Sequence, residues 1–347
     1  MDRYIAQILL KITTSSKWSY LVKLKNFYEY GLGNTPLVQL SRYSPNGRLY
    51  LKLEKNNPHG SIKDRTAFYL IKDLVDAGKL SASTILVESS SGNLGIALGY
   101  LSQEMGVEFV CLVDPTITPE KLRQLSEMNV KVHVVHLGNN SDYRVSRIKL
   151  AKYLDTKPNW IWTNQYGNPS NFKSHYETTG PEIWEQTRGD IDYIVCSVGT
   201  GGTICGVGHY LKRKKPEIKV VGVEPFGSTI FGGIPFTYLN AGSGMAEPSE
   251  ITQRYGNVID HYCKVKDNDS IQECVNLFSE EGLSVGITSG SILKVGLHLA
   301  EKYPSANIVG IAPDGGEKYQ GYLNNAIAVE SDSSNGDVIF LESTTKL

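Results

Sequence analysis

"TILVESSSGNLGIALGYLSQEMGVEFVCLVDP", residues 84–115, decides the fold. It opens on a short apolar run, Ile85 to Val87, and crosses a loop of serine, glycine and asparagine. It continues as an apolar helical pattern from Leu94 that stops at Gly106, and closes on a second apolar run, Phe109 to Val113. An apolar run without alternation reads as a strand covered on both faces. Two such strands joined by a helix of about ten residues run parallel.

The same alternation extends both ways. "RLYLKLEK" (48–55) reads as a strand, and Ala67, Leu70, Ile71, Leu74 and Val75 read as one face of a helix ending at Gly78. "PEKLRQLSEM" (119–128) is a helix and "KVHVVHL" (131–137) a strand. After "NWIWTNQYGNPSNF" (159–172), a Trp, Asn and Pro-bearing stretch that looks like a crossing between lobes, a second series begins. Its strands are "DYIVCSVG", "KVVGVEP" and "NIVGIAPDG"; its helices are "TICGVGHYLK", "SIQECVNLFSEEG" and "SGSILKVGLHLAEKY". The fold class is therefore α/β, two lobes of mostly parallel sheet covered by helices. Such open sheets hold ligands outside the carboxyl ends of their strands. Residues 1–33 read as an N-terminal extension with helical character, and 329–347, polar and rich in Ser and Asp, as a loose tail.

Composition narrows the partners. The 347 residues are 40% hydrophobic, enough for a sizeable core, and a net charge of -1 lacks the basic footprint of a nucleic-acid binder. The basic cluster "KRKK" (212–215) falls at the end of a helical pattern, where cations suit the negative terminus. Five cysteines without a C-x-x-C pair suggest neither a zinc site nor a disulfide framework, so no metal is expected. No secretory signal and no uncharged run long enough to span a bilayer is found, which fits a soluble cytoplasmic protein acting on small molecules, with no membrane or nucleic-acid partner.

Four loops carry chemistry. In "GSIKDRT" (60–66), Ser61 and Asp64 stand at the spacing of a capping box, which puts Lys63 in the first helical turn, where a cation is disfavoured. Desolvated there, its amine would be neutral and free to attack an aldehyde; an exposed ammonium in water is the competing reading. "ESSSGNLG" (88–95) sets Ser90, Ser91, Gly92 and Asn93 at a helix start as donors for an anion such as a carboxylate, and close packing by its glycines is compatible with that. "SVGTGGTICG" (197–206) sets Gly199, Thr200, Gly201, Gly202 and Thr203 as a cradle for a phosphate monoester, against a plain tight turn. It is neither a Walker loop nor a G-x-G-x-x-G dinucleotide loop. "VGITSGS" (285–291) puts Thr288 and Ser289 at a helix mouth, one hydroxyl more than a cap needs. An imine-forming lysine, a phosphate cradle and a carboxylate cradle together specify pyridoxal 5'-phosphate and an amino acid.

These motifs, with "NQYGNPSN", "GNTPLVQL" and "PDGGEKY", resemble in order and spacing the fold-type II pyridoxal phosphate enzymes of the cysteine synthase and cystathionine β-synthase group. "ESSSGNLGIAL", "NQYGNPSNFKSHY" and "GSTIFGG" are similar to its N-(2-amino-2-carboxyethyl)-L-glutamate synthase branch, which makes a siderophore precursor. The resemblance implies a smaller lobe over 57–165, a larger lobe over 34–56 and 166–328, and a homodimer. It implies that Lys63 bonds the cofactor aldehyde, Asn93 the ring hydroxyl, Thr288 the ring nitrogen and residues 199–203 the phosphate. Ser90, Ser91, Gly92, Asn93, Gln165 and Tyr166 would hold the substrate.

The reaction implied is β-replacement: O-phospho-L-serine or O-acetyl-L-serine loses its leaving group to give an enzyme-bound aminoacrylate, and a nucleophile, L-glutamate or sulfide, adds. A hydroxyl rather than a carboxylate on the ring nitrogen would leave the ring a weaker electron sink and favour elimination. Ser174, His175 and Tyr176 join Tyr166 as candidates for the second substrate, and packing or surface roles are equally open to them. "PDGGEKY" departs from the Ser-Gly-Glu-Arg-Tyr type sequence of cysteine synthases, which weighs against plain sulfhydrylase activity. The rival readings are a sulfhydrylase, a serine or threonine dehydratase, and a non-catalytic binding relative.

Overall fold

The computed structural model describes residues 24–44, 46, 48–137, 142–240, 242–321, 323 and 339–342. Strands β1 (Leu37–Gln39) and β2 (Leu49–Leu53) lead to helix α1 (Lys63–Asp76). Then come β3 (Ile85–Ser89), α2 (Asn93–Met105), β4 (Glu108–Val113), α3 (Pro119–Glu127), β5 (Lys131–Val134), α4 (Tyr143–Leu154) and β6 (Trp160–Trp162). Next are α5 (Pro169–Ser174), a π turn over His175–Thr179, and α6 (Gly180–Gln186). The chain continues with β7 (Tyr193–Ser197), α7 (Gly202–Lys214), β8 (Lys219–Pro225), α8 (Glu250–Tyr255) and β9 (His261–Val265). It closes with α9 (Asp267–Glu281), α10 (Ile287–Lys302), β10 (Ile308–Ala312) and β11 (Ile339–Glu342).

Two sheets result. The smaller, ordered β5-β4-β3-β6, is wholly parallel; the larger, β1-β2-β10-β7-β8-β9-β11, is parallel except for its edge strands β1 and β11. The apolar runs are explained by burial on both faces. In β3 and β4, Leu86, Phe109, Cys111 and Val113 pack with α1 and α2, while Ile85, Val87, Val110 and Leu112 pack with Ala151 and Leu154 of α4. In the large sheet Val195, Val221 and Val223 face α9 and α10, and Ile194, Cys196 and Val220 face α7. Each fully buried Leu, Ile or Val of this kind contributes about 1.5–3 kcal/mol of transfer free energy. All five cysteines are buried and free, and burial pushes the Cys111 and Cys205 thiols up to about 12, which makes them packing groups.

Strand order reverses at β3 and at β7, whose flanking neighbours are β4 and β6, and β8 and β10. The serine-rich loop 90–92 and the glycine loop 198–201 leave these two strands at their carboxyl ends, the positions where such sheets open a crevice.

Three expectations change. The stretch 159–172 is more than a crossing: its Trp160–Trp162 is the edge strand β6, and the Asn168 side chain caps α5 by accepting from the Ser170 N–H. Of the N-terminal extension, residues 1–23 lie outside the described residues. Residues 24–33 form turns whose Phe27 and Leu32 are core residues of the small lobe, Phe27 meeting Phe68 edge-on at 5.4 Å between centroids. Within the stretch read as a tail, Ile339–Glu342 forms β11 antiparallel to β9, consistent with its apolar Ile-Phe-Leu run.

Candidate active site

Four helices begin at one cleft with N-cap residues whose own side chains make no capping bond: Ile62 (α1), Gly92 (α2), Gly201 (α7) and Gly286 (α10). Elsewhere Thr118, Asp142, Asn168 and Ser249 cap α3, α4, α5 and α8, while α6 and α9 also start without a side-chain cap. An uncapped start leaves first-turn N–H groups without intrahelical acceptors and aims a positive dipole end outward, which suits anions. The expected capping box at Ser61 is not formed. Ser61 bridges to Asp314 and its Oγ accepts the Lys63 N–H at 3.3 Å, while Asp64 Oδ2 accepts the His59 N–H at 2.8 Å.

Lys63 is the first residue of α1. Burial lowers its pKa below that of an ordinary lysine, opposed by the charge of Asp314. Asp314 Oδ2 accepts from Asn93 Nδ2 at 2.8 Å and the Tyr319 hydroxyl at 3.0 Å, and its Oδ1 is buried without a partner among the described residues. Lys318 Nζ donates to Asn93 Oδ1 at 3.0 Å and to the Gly60 carbonyl at 3.0 Å. "PDGGEKY" thus clamps the Asn93 amide from both ends, a role its sequence alone does not disclose.

At the glycine loop, Gly201 takes a left-handed φ of 81°, and a Cβ on Gly202 would lie 2.0 Å from Asn171 Oδ1. Asn171 Nδ2 donates to Thr200 Oγ1 at 2.9 Å and to the Gln165 carbonyl at 2.8 Å, and the Ser249 hydroxyl donates to the Thr200 carbonyl at 2.7 Å. His175 lies behind this loop, its Nε2 3.3 Å from the hydroxyls of Thr66 and Thr203 and its Nδ1 3.0 Å from that of Thr179. Burial, with the charges of Lys63 and Arg65, holds His175 well below the usual histidine range, so it is neutral. Ser174 donates to the Asn171 carbonyl at 2.8 Å, and Tyr176 stacks on Phe172 and meets Arg213 at 2.8 Å. Ser174, His175 and Tyr176 therefore belong to packing beneath the loop and at the surface.

The serine loop also departs from expectation. Ser90 Oγ accepts the N–H groups of Gly92 and Gly95 at 3.3 and 3.1 Å, and Ser91 donates its only proton to Asp114 at 2.7 Å. The donors left for a carboxylate are the backbone amides of Ser91 and Asn93 and the proton of the Ser90 hydroxyl, with the Ser91 hydroxyl itself committed. Gln165 is tied in place: its Nε2 donates to the Ser89 carbonyl at 3.0 Å and its N–H to Glu88 at 3.1 Å. Buried Glu88 also accepts from the Ser89 N–H, Trp162 Nε1 and the Thr163 hydroxyl, joining the ends of β3 and β6. Tyr166 donates to the Ser89 carbonyl at 3.4 Å, and the charges of Arg144 and Arg147 act on it. Arg147 pairs with Asp114 at 3.2 Å, and Arg144 donates to the Gly244 carbonyl at 2.9 Å.

Thr288, second residue of α10, donates to Asn240 Oδ1 at 2.5 Å, and Ser289 Oγ is buried without a partner among the described residues. No group of His, Cys, Asp and Glu able to hold a metal occurs among the described residues, and none of their helices is long and apolar enough to cross a membrane.

The donor set fits pyridoxal phosphate: a 13-residue helix with a bare glycine start for the phosphate, a half-buried lysine for the aldehyde, and amide and hydroxyl groups between them. Residues 28–323 match the family of pyridoxal-phosphate dependent enzymes, and the chain belongs to that family as a cysteine synthase-like, fold-type II enzyme. Among solved structures it is similar to O-acetylserine sulfhydrylase isoform 3 from Entamoeba histolytica, at 29% identity over 93% of this chain and 97% of that one, TM-score 0.80. It is likewise similar to a hydrogen sulfide-producing enzyme from Fusobacterium nucleatum (29% identity over 86% of this chain and 98% of that one, TM-score 0.77). An O-ureido-L-serine synthase matches at 29% identity over 90% of this chain and 98% of that one, TM-score 0.78.

Proposed function

We propose that the enzyme exchanges the β-substituent of O-phospho-L-serine, or of O-acetyl-L-serine, for the amine of L-glutamate. The C–O bond to phosphate or acetate breaks, a C–N bond forms, and N-(2-amino-2-carboxyethyl)-L-glutamate results. The bound cofactor supplies the electron sink that makes the α-proton acidic. Lys63 is the anchor of the cofactor and, released from it, the base that takes the α-proton and returns it; a lowered pKa keeps that amine neutral and able to do so. The amides of Gly199 to Thr203 hold the phosphate, and Asn93, fixed by Asp314 and Lys318, meets the ring hydroxyl. The amides of the serine loop and Gln165 hold the substrate carboxylate. The observation that carries the reading is that Lys63, its pKa lowered by desolvation, opens α1, while α2, α7 and α10 start on glycines that carry no side chain.

A carboxylate-bearing acceptor is favoured by the Arg144 guanidinium, whose charge acts on Tyr166 and whose fork fits a carboxylate; Arg147 is already paired with Asp114. The second reading, a sulfhydrylase, is favoured by the sulfhydrylase relatives. Incubation with O-phosphoserine and either glutamate or sulfide, with products identified by mass, separates the two. The glutamate adduct is the expected product, and cysteine without any adduct rejects the acceptor assignment. Arg144→Ala should raise KM for glutamate by roughly 10-fold or more at little cost in kcat, the loss of a charged contact worth about 1.5–3 kcal/mol.

A further inference from the structure

We propose that Lys121 takes the phosphate group of the substrate, so that of O-phospho-L-serine and O-acetyl-L-serine this cleft selects the first. The inference rests on the proposed β-replacement and narrows its substrate.

Lys121 is the third residue of α3, and the Thr118 side chain caps that helix by accepting the Lys121 N–H at 3.4 Å. The helix follows β4, so its first turn lies at the carboxyl end of the small sheet, where the serine loop also leaves β3. Three charged groups act on the Lys121 ammonium, Asp314, Lys318 and Asp114, and each belongs to the cleft. Asp314 also acts on Lys63 and accepts from Asn93; Lys318 holds the other end of the Asn93 amide; Asp114 accepts the Ser91 hydroxyl. Lys121 therefore stands by the serine loop, and one carboxylate acts both on it and on the lysine that takes the α-proton.

Neither acid serves it as a bonded partner. Asp114 pairs with Arg147 at 3.2 Å, and Asp314 Oδ2 accepts from Asn93 and the Tyr319 hydroxyl. Glu120, next in sequence, turns to Arg123 at 2.8 Å. Lys121 Nζ makes no hydrogen bond and no ion pair among the described residues, whereas the cations of Lys52, Arg65 and Lys264 each meet a carboxylate at 2.6 to 2.7 Å. Burial lowers the pKa of this half-buried lysine below the ordinary value, and the charge of Asp314 opposes the fall. A desolvated ammonium without a bonded partner is costly, and an anion in contact with it removes that cost.

Charge then separates the two esters. A phosphate monoester carries roughly two negative charges at neutral pH and three strong acceptor oxygens, while an acetyl ester carries no charge. Lys121 offers three N–H donors; Lys318 spends two of its own on Asn93 and the Gly60 carbonyl and keeps one. Two ammonium groups match a dianion. An acetyl group would leave Lys121 as unpaired as before.

The test follows the cofactor absorbance of the holoenzyme as each ester is added with no acceptor present, and reads the concentration that gives half of the change. Lys121→Gln should raise that concentration for O-phosphoserine roughly 10-fold or more, the loss of a charge-assisted contact, and the preference for O-phosphoserine over O-acetylserine should fall by the same factor. Lys121→Arg, which keeps the charge, should restore most of it. Inorganic phosphate should compete with O-phosphoserine in the wild type, and its inhibition constant should rise in Lys121→Gln by a similar factor. Equal changes for both esters, as the loss of a packing role would give, overturn the assignment, and so does an unmoved response to O-phosphoserine. A wild type that answers O-acetylserine and not O-phosphoserine overturns this inference alone and leaves β-replacement standing; one that answers neither ester rejects β-replacement and this inference with it.

Discussion

Lys63 is held by two opposed effects, burial that favours the neutral amine and the Asp314 carboxylate that favours the ammonium, and burial is the larger. An unfolded chain keeps that lysine protonated up to about 10.5, whereas the folded one releases the proton earlier. Between those two pKa values the unfolded state binds more protons, so in the cofactor-free protein stability rises with pH across that window and gains nothing further above it. The same shift sets reactivity. The rate at which the protein condenses with the cofactor aldehyde, followed by the absorbance of the new C=N bond, should climb with pH to a midpoint below 10.5. Asp314→Asn removes the charge that holds the amine up, so its midpoint should lie lower still. A midpoint that rises, or does not move, would show that Asp314 does not act on Lys63. The asparagine keeps a carbonyl oxygen that can accept from Asn93 Nδ2 and the Tyr319 hydroxyl, so the midpoint should move with little change in cofactor retention.

At the level of elements, the sequence disclosed what is local and hid what is not. The strands and helices around "ESSSGNLG" and "SVGTGGT" could be read because burial on both faces leaves a continuous apolar run, and a helix after a glycine loop shows its period at once. Capping was misread at Ser61 because a capping-box spacing says which bonds are possible, not which win. Asp64 is drawn to His59 instead. The Ser91 hydroxyl looked free because Asp114, which takes its proton, lies one strand away. Arg144, Asn240 and Lys318 were missed for the same reason: each lies far along the chain from its partner, as Lys318 does from Asn93. The glycine loop was legible and gives a sharp test. Gly202→Ala places a methyl 2.0 Å from Asn171 Oδ1, the side chain that fixes both Thr200 and Gln165. Overpacking of this kind costs about 1–3 kcal/mol. Taken up by the loop, it should weaken cofactor retention roughly 10-fold or more. Equilibrium dialysis against pyridoxal phosphate, with the unfolding midpoint measured in parallel, reads it, and unchanged retention would remove the loop from the cofactor site.

Across the whole molecule, the two lobes meet in a buried ionic network two residues from Lys63. Arg65 of α1 bonds Glu54 through Nε at 2.7 Å and Glu182 of α6 through Nη1 at 2.6 Å, and Lys52 of β2 bonds Glu182 at 2.7 Å. The Thr35 hydroxyl and carbonyl complete it, accepted by Glu54 and accepting from Lys52, each at 2.7 Å. Two cations face two carboxylates with the side chains of Arg65, Lys52 and Glu54 wholly buried, so the charges balance only as a set. A complete set of this kind adds little net stability, because desolvation offsets attraction; an incomplete one is costly, because a charge is left without its partner in a dry site. Glu182→Leu should therefore cost about 3–5 kcal/mol in denaturant unfolding. The exposed Arg123–Glu127 pair of α3 supplies the contrast, since water screens both groups and Glu127→Ala should leave the unfolding midpoint where it was. Because Arg65 also fixes the first turn of α1, Glu182→Leu should lose reactivity of Lys63 toward the cofactor aldehyde at denaturant concentrations where the variant is still folded. Were the two variants to unfold alike, or were Lys63 to react unchanged in the folded Glu182→Leu protein, the network would not be what joins the lobes at the cleft.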